Sequence, residues 1–262
     1  MTSRSSNPDL DLALRLADAA REISLARFRG PFQKRLKADG SIVTEVDEAV
    51  EDELRELLAR ARPNDAILGE ERGASGAGER RWIIDAIDGT LSFAAGKTGW
   101  GTLIALEVGG EIVVGVCDDP PIDRRYWAVR GGGAFRADGA SQPRRLQVSG
   151  TTDLQRARSF VPPPEWVRGD DAQAMAVALA AATRPTASED HPALQVAFGG
   201  YDVAVFFMAG PWDLAAPSLV VEEAGGRFTD LSGAVTLTAG AVFSNGSVHD
   251  ATIDCLRAAR AL

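Results

Sequence analysis

One short stretch restricts this chain more than any other: RRWIIDAIDGTLSF, residues 80–93. The run Trp82-Ile83-Ile84 has the composition of a central strand buried on both faces. It ends in two aspartates, Asp85 and Asp88, followed at once by Gly89 and Thr90. Gly89 gives the backbone freedom to turn, and Thr90 is placed to open a helix. Two carboxylates at one strand end repel each other unless a cation or a shared proton lies between them. This strand-to-helix junction is therefore expected to bind something positive.

The rest of the chain supplies a scaffold for such a junction. With 262 residues and 45% hydrophobic content, it can form one large domain or two interlocked halves. Apolar spacing predicts a long amphipathic helix over 8–29 and a second from near Thr44, stopping before Pro63, with Asp47 in its first turn. AILGEE reads as a short strand leading to Glu70 and Glu71, and ERGASGAGER as a polar hairpin tip. WGTLIALEVGGEIVVGVCDDP and RRYWAVRGGGAFR then read as four antiparallel strands. Residues 1–148 form an α+β half carrying an antiparallel sheet and most of the candidate ligands. Beyond that point helical patterns at 170–183, 191–199, 212–225 and 247–260 alternate with short apolar strands. Residues 149–262 are thus an α/β half, packed with the first as one unit. SFVPPPEWVRG is a proline-stiffened loop.

Charge and composition exclude several roles. There are 37 acidic residues against 28 basic, a formal net charge of -9, which argues against general affinity for nucleic acid. No run of eighteen apolar residues predicts a membrane span. The segment MTSRSSNPDLDLALRLADAA has no continuous apolar core of the secretory type, so a cytoplasmic protein is expected. Cys117 and Cys255 fit no metal or redox spacing and read as ordinary thiols of a reducing compartment.

Four acidic residues stand where strands end or helices begin: Glu70, Asp85, Asp88 and Asp213. Taken singly, Glu70 reads as an exposed loop acid and Asp213 as a helix-capping carboxylate. Taken together they suit Mg²⁺, which prefers hard oxygen ligands and shares its shell with water and substrate phosphate. Asp85 can bridge two ions, with Glu70 completing one site and Asp88 with Asp213 the other; such a pair can hold an attacking water and a leaving oxygen. Gly89 and Thr90 then present backbone N–H groups to a phosphate. A covalent route through an aspartyl nucleophile needs two aspartates separated by one residue. Here Ala86 and Ile87 intervene, so that route is rejected.

In order and spacing, KADGSIVTEVDEAVE, GEE, WIIDAIDGTLSF and GPWDLAAPSLVVEEAGG resemble the inositol monophosphatase family of Mg²⁺-dependent, lithium-sensitive phosphatases. The resemblance implies a layered α-β-α-β-α sandwich, commonly a homodimer, acting on a small phosphate ester with two or three Mg²⁺ per site. It also implies roles. Glu70, Asp85 and the carbonyl of Ile87 hold the first metal; Asp85, Asp88 and Asp213 hold the second. Glu70 and Thr90 orient the water that attacks phosphorus, Asp47 orients the Thr90 hydroxyl, and Gly89 and Thr90 hold the phosphate. Asp88 and Asp213 also face the substrate.

Two departures from the family pattern stand in the central motif: Ala86 where proline is usual and Ser92 where asparagine is usual. Neither removes a ligand. Substrate choice rests on the segment before Pro211, where Glu189 and Asp190 can pair with an ammonium or with hydroxyls, or form an exposed acidic turn. His191 reads as a turn residue and His249 as structural. The chemistry expected is hydrolysis of a polyol or amino-alcohol phosphate, inositol monophosphate or histidinol phosphate included. A catalytically weak sugar-phosphate-binding protein of the same fold is the alternative. A nucleotide 3′-phosphatase is disfavoured, because no added segment for an adenosine is evident.

Overall fold

The computed structural model describes residues 7–38, 40–163, 166–188, 190–238 and 240–260. Helix α1 (Pro8–Arg27) starts where the Asn7 side chain accepts from the N–H groups of Asp9 and Leu10, with Pro8 at the first helical position. A small hairpin, β1 (Lys34–Leu36) and β2 (Ile42–Thr44), leads into α2 (Glu45–Ala61). Thr44 and Asp47 form a reciprocal capping box at its start, which fixes Asp47 in the first turn as expected.

The large sheet follows: β3 (Ala66–Gly69), β4 (Gly73–Ser75), β5 (Arg80–Asp88), β6 (Gly101–Val108), β7 (Glu111–Asp119), β8 (Arg124–Val129), β9 (Gly133–Asp138) and β10 (Arg144–Arg145). The one-turn helix α3 (Thr90–Ala94) lies between β5 and β6. Strand order is β10-β9-β8-β7-β6-β5-β3-β4, antiparallel from β5 to β10 with β3 parallel to β5. Part of ERGASGAGER is an edge strand rather than a bare hairpin tip. Its residues Gly73–Ser75 pair antiparallel with β3, and three residues without a large apolar side chain carry no strand signal.

The second sheet contains β11 (Arg158–Phe160), β12 (Arg184–Pro185), β13 (Val203–Phe206), β14 (Arg227–Thr229) and β15 (Ala241–Ser244), in the order β12-β11-β13-β15-β14. It is mixed, with β11 parallel to both neighbours and β15 antiparallel to both of its own. The helices between are α4 (Asp170–Ala182), α5 (Pro192–Ala197), α6 (Pro211–Glu223) and α7 (His249–Arg260). SFVPPPEWVRG therefore begins as a strand before its prolines end the pairing.

Three apolar clusters stack these elements in five layers. Leu12, Leu16 and Leu54 of α1 and α2 cover Trp82, Ile84, Ile104 and Val116 on one face of the large sheet. Its other face, through Ile83, Leu103 and Cys117, packs on Leu194, Leu214 and Leu219 of α5 and α6. The same cluster continues into Ala204 and Phe243 of the second sheet. Beyond it, Leu179 of α4 and Leu256 of α7 cover Val203, Val205 and Val242. The order is α-β-α-β-α, as the family resemblance implies. Among the described residues no helix is long and apolar enough to cross a membrane.

One buried ion cluster pins α1 to the sheet. Asp118 on β7 has a fully buried side chain and accepts from Arg21 on α1 at 2.8 and 2.9 Å and from Arg125 on β8 at 2.6 Å. Removing one partner of a buried pair strands the other charge. Asp118→Ala is expected to lower unfolding stability by about 2–3 kcal/mol, at the low end because both arginines still reach solvent. Denaturant titration reads the change; a loss under about 0.5 kcal/mol would place the anchorage of α1 in its apolar face alone.

Candidate active site

The end of β5 is irregular in a way that aims its carboxylates. Across β5 and β6, Asp85 pairs with Leu103 and Asp88 with Gly101, so three steps on one strand meet two on the other. Before this bulge the side chains alternate: Ile83 lies on the α5–α6 side, Trp82 and Ile84 on the α1–α2 side. At the bulge Ala86 and Ile87 both enter the α1–α2 core. Regular alternation would place Asp85 and Asp88 on opposite faces, and the extra residue returns both to one. Gly89 then turns the chain at φ 78°, a conformation L side chains rarely adopt, and a Cβ there would lie 2.5 Å from the Gly99 carbonyl.

Three carboxylates meet at this point. Glu70, Asp85 and Asp213 each offer an oxygen, all within 4.8 Å of one another. Glu70 follows β3, where its N–H donates to the Ile84 carbonyl and extends the parallel ladder. Asp213 is the third residue of α6, and its Oδ2 accepts from the Gly210 N–H at 2.6 Å. The capping and cluster roles of Asp213 thus coexist in one carboxylate. Asp85 is 2% exposed, and its Oδ2 has no hydrogen-bond partner among the described residues. A buried carboxylate oxygen with no protein partner, set among other carboxylates, is a donor that fits a divalent cation.

Asp88 completes the group, and Coulomb repulsion links it to Asp213, Asp85 and Glu70. The Thr90 hydroxyl has two acceptors at 3.0 Å, Asp47 Oδ1 and the Ile87 carbonyl. It owns one proton, so donation to Asp47 frees the Ile87 carbonyl for another partner. Asp47 itself is 1% exposed, with its other oxygen held by Thr44.

Three neighbours lay outside the sequence expectation. The Lys37 ammonium donates to Glu70 Oε1 at 2.8 Å and Glu71 Oε1 at 2.7 Å. Burial works against its charge, but these two hydrogen bonds and the carboxylate charges outweigh burial and raise its pKa. Glu71 is pushed up to about 7 by burial. Glu51, fully buried on α2, accepts from the N–H groups of Glu71 at 2.8 Å and Arg72 at 3.1 Å, which fixes the turn carrying Glu70. In sequence Glu51 is one more acid on a charged helix, four residues from Arg55, and nothing marks it.

The crowding shows in the protonation of the cluster. Burial first, then repulsion from Glu70, Asp88, Asp213 and Asp47, holds Asp85 well above the usual carboxylate range. Asp213 is raised to about 7 by burial and Asp88, and Asp88 to about 7 by burial and Glu70. The Asp88 side chain is still 27% exposed, so solvent screens it more than it screens Asp85.

Beside the cluster opens a cleft of about 570 Å³, lined by Asp88, Ser92, Asp119, Asp190 and His191 and walled by Phe160, Trp166, Phe206, Phe207 and Met208. Glu189 lies outside the described residues. Asp190 is already engaged, accepting from Arg124 at 3.0 Å and Gln195 at 2.9 Å. His191 is more than a turn residue. It caps α5 with its ring buried against Phe206, and its Nε2 lies 3.8 Å from Asp88 Oδ2. Burial lowers its pKa to about 4, so the ring is neutral. His249 bonds Thr229 and Ser244 inside the second sheet, away from the cleft.

Comparison with known proteins shows the family of the chain. The model of the inositol monophosphatase family matches residues 6–260. A histidinol-phosphatase of Mycobacterium tuberculosis is 41% identical over 259 residues, covering 97% of this chain and 99% of that protein. An inositol-1-monophosphatase of Rhizobium meliloti is 36% identical, covering 80% and 81%. The crystal structure of the extragenic suppressor protein suhB from Bartonella henselae superposes with a TM-score of 0.84 at 26% identity, covering 96% and 99%.

The raised carboxylates make a prediction about the metal-free protein. Their folded pKa values exceed the ordinary 3.8, so between about pH 4 and 7 the folded state binds more protons than the unfolded. Their contribution to stability is present at the acid end of that window and lost as pH rises through about 7. In EDTA at pH 8, Asp85→Asn is therefore expected to unfold later than the parent chain, by roughly 1 kcal/mol or more, and to lose less between pH 5 and 8. A variant that melts earlier than the parent at pH 8 would contradict repulsion as the dominant force here.

Proposed function

The chain belongs to the inositol monophosphatase family, and from that premise we propose that it is a Mg²⁺-dependent phosphomonoesterase of small amino-alcohol phosphates, histidinol phosphate first among them. The observation that carries the catalytic part is the convergence of Glu70, Asp85 and Asp213, each with an oxygen within 4.8 Å of the others, on a buried Asp85 whose Oδ2 has no hydrogen-bond partner among the described residues. Hard, anionic oxygens alone are a donor set for Mg²⁺ rather than for a softer ion. Glu70, Asp85 and the Ile87 carbonyl would hold one ion, and Asp85, Asp88 and Asp213 a second; a third has no further donor set assigned. Bound there, Mg²⁺ supplies Lewis acidity to the phosphoryl oxygens and makes water a better nucleophile.

The chain's own groups do the orienting. Thr90 donates its proton to Asp47 Oδ1, which leaves the Oγ1 lone pairs to accept from the attacking water. Glu70 accepts that water's second proton, once Lys37 no longer occupies its carboxylate. Backbone N–H groups at Gly89 and Thr90 receive the phosphate. With α3 only five residues long, individual N–H groups do this work rather than a helix dipole. Asp88 and Asp213 border the ester on the cleft side.

Substrate choice follows the cleft and the relatives. Its aromatic walls suit a flat ring, whereas the hydroxyls of a polyol laid against Phe160 and Phe206 would lose water there. The relative named histidinol-phosphatase is also the more similar of the two curated ones, 41% against 36%. We place the enzyme in the cytoplasm, in keeping with two unpaired cysteines, and as the homodimer that the family resemblance implies.

Phosphate release from histidinol phosphate is expected to require Mg²⁺ and to stop in excess EDTA. Asp85→Asn is expected to lower kcat by roughly 10³-fold or more, about 4 kcal/mol. Asp47→Asn, which disturbs the Thr90 proton and touches no metal, should lose about 10-fold, provided the Thr44 cap on its other oxygen is kept. Turnover in metal-free buffer, or wild-type rates in both variants, would remove this mechanism.

A further inference from the structure

The cleft holds a charged side chain that the chemistry above leaves unused. Asp119 ends β7 and lines the cleft with Asp88 and His191. It is 8% exposed, and its Oδ2 has no hydrogen-bond partner among the described residues. Strand register fixes where it stands. Asp88 pairs with Gly101, and Thr102 pairs with Asp118, so Asp88, Gly101 and Asp119 form one row across three strands. With neighbouring strands about 4.8 Å apart, the backbones of the two aspartates are roughly 10 Å apart. Asp118 turns to Arg21 on α1, so alternation aims Asp119 to the cleft side. Gly101 keeps the space between them clear: a Cβ there would come within 2.9 Å of Asp119 Oδ1.

The surrounding charges do not satisfy this carboxylate. Arg124, the nearby cation, is held by Asp138 at 2.7 Å and by Asp190 at 3.0 Å. Burial and then the charges of Asp118, Asp190 and Asp88 push Asp119 up to about 8. An unpaired buried carboxylate is destabilising in the empty protein and becomes favourable when a ligand brings a cation or a strong donor to it. Asp190, by contrast, already has its partners. The ligand that answers both the aromatic walls and this single acid carries an amine on a flat, apolar body.

We propose that Asp119 recognises the ammonium group of the substrate and sets the preference for amine-bearing phosphate esters over polyol esters, an assignment that rests on the phosphatase function proposed above. It is a specificity residue, in the same sheet row as Asp88 and two strands away from it, and it takes no part in bond cleavage.

The test compares histidinol phosphate with its deamino analogue, in which hydrogen replaces the amine, and with 4-nitrophenyl phosphate as a reference ester. The parent enzyme is expected to favour the amine over its deamino analogue by roughly 30-fold or more in kcat/KM, chiefly through KM. Asp119→Asn should reduce that ratio to within a few-fold. The assignment is overturned if the parent enzyme does not distinguish the two esters, a result that needs no variant. It is equally overturned if Asp119→Asn keeps the preference or lowers both esters in the same proportion. Should no ester be hydrolysed with Mg²⁺ present, the phosphatase function fails on its own. Calorimetry with histidinol then decides on Asp119: weaker binding to Asp119→Asn supports the assignment, and equal or absent binding to both proteins ends it.

Discussion

Carboxylates that face one another in a water-poor pocket repel strongly, and a chain keeps them there only if its backbone leaves them no exit. Here the backbone does so at one irregular step. The bulge at Ala86–Ile87 turns Asp85 and Asp88 to the same face of β5. The Gly89 turn ends the strand, and the capping of α6 brings Asp213 in from the opposite layer. Glu51 pins the backbone after Glu70. None of these supports brings a positive charge, so they hold the acids in place without neutralising them. Lys37 is the exception, and its hydrogen bonds go to Glu70 and Glu71, leaving Oδ2 of the inner Asp85 without a partner among the described residues.

That arrangement trades stability for affinity. A cluster whose members are held above their ordinary pKa weakens the empty fold near neutral pH. The same repulsion becomes attraction once a divalent cation enters, because each charge then gains a partner it lacked. Five layers of apolar packing supply the rigidity that such an arrangement needs. Asp118 with its two arginines adds a second, fully paired buried charge on the far face of β7. Two adjacent residues of one strand, Asp118 and Asp119, thus meet opposite fates: one is saturated by arginines, the other faces the cleft unpaired.

Much of this was legible in the sequence because it rests on local rules. The apolar run ending in Asp85 and Asp88, the glycine after it and the box of Thr44 with Asp47 are short-range signals, and each element formed where they point. The layer order followed from the family resemblance, while the alternation of helices and strands pointed only to an α/β second half. The bulge was not legible, since Ala86 and Ile87 fit a regular strand equally well. Glu51, Lys37 and Asp119 escaped for a different reason. Their roles depend on what lies across the fold, and a charged residue in a helix, a loop or a strand end looks ordinary until its neighbours are known. For Glu189 and Asp190 the sequence left a substrate contact and an exposed acidic turn both open; Glu189 lies outside the described residues, and Asp190 accepts from Arg124 across the fold.

The central claim is that Glu70, Asp85 and Asp213 converge to hold divalent metal. Crystals grown with Mn²⁺ and inorganic phosphate, measured at the manganese absorption edge, test it most directly, because anomalous scattering locates the ion independently of any assumed chemistry. The account predicts anomalous peaks bonded to Asp85 and shared with Glu70 and Asp213, with Lys37 displaced from Glu70 and phosphate against Gly89 and Thr90. A map without a peak among these three carboxylates, with Lys37 still bonded to Glu70, would contradict it.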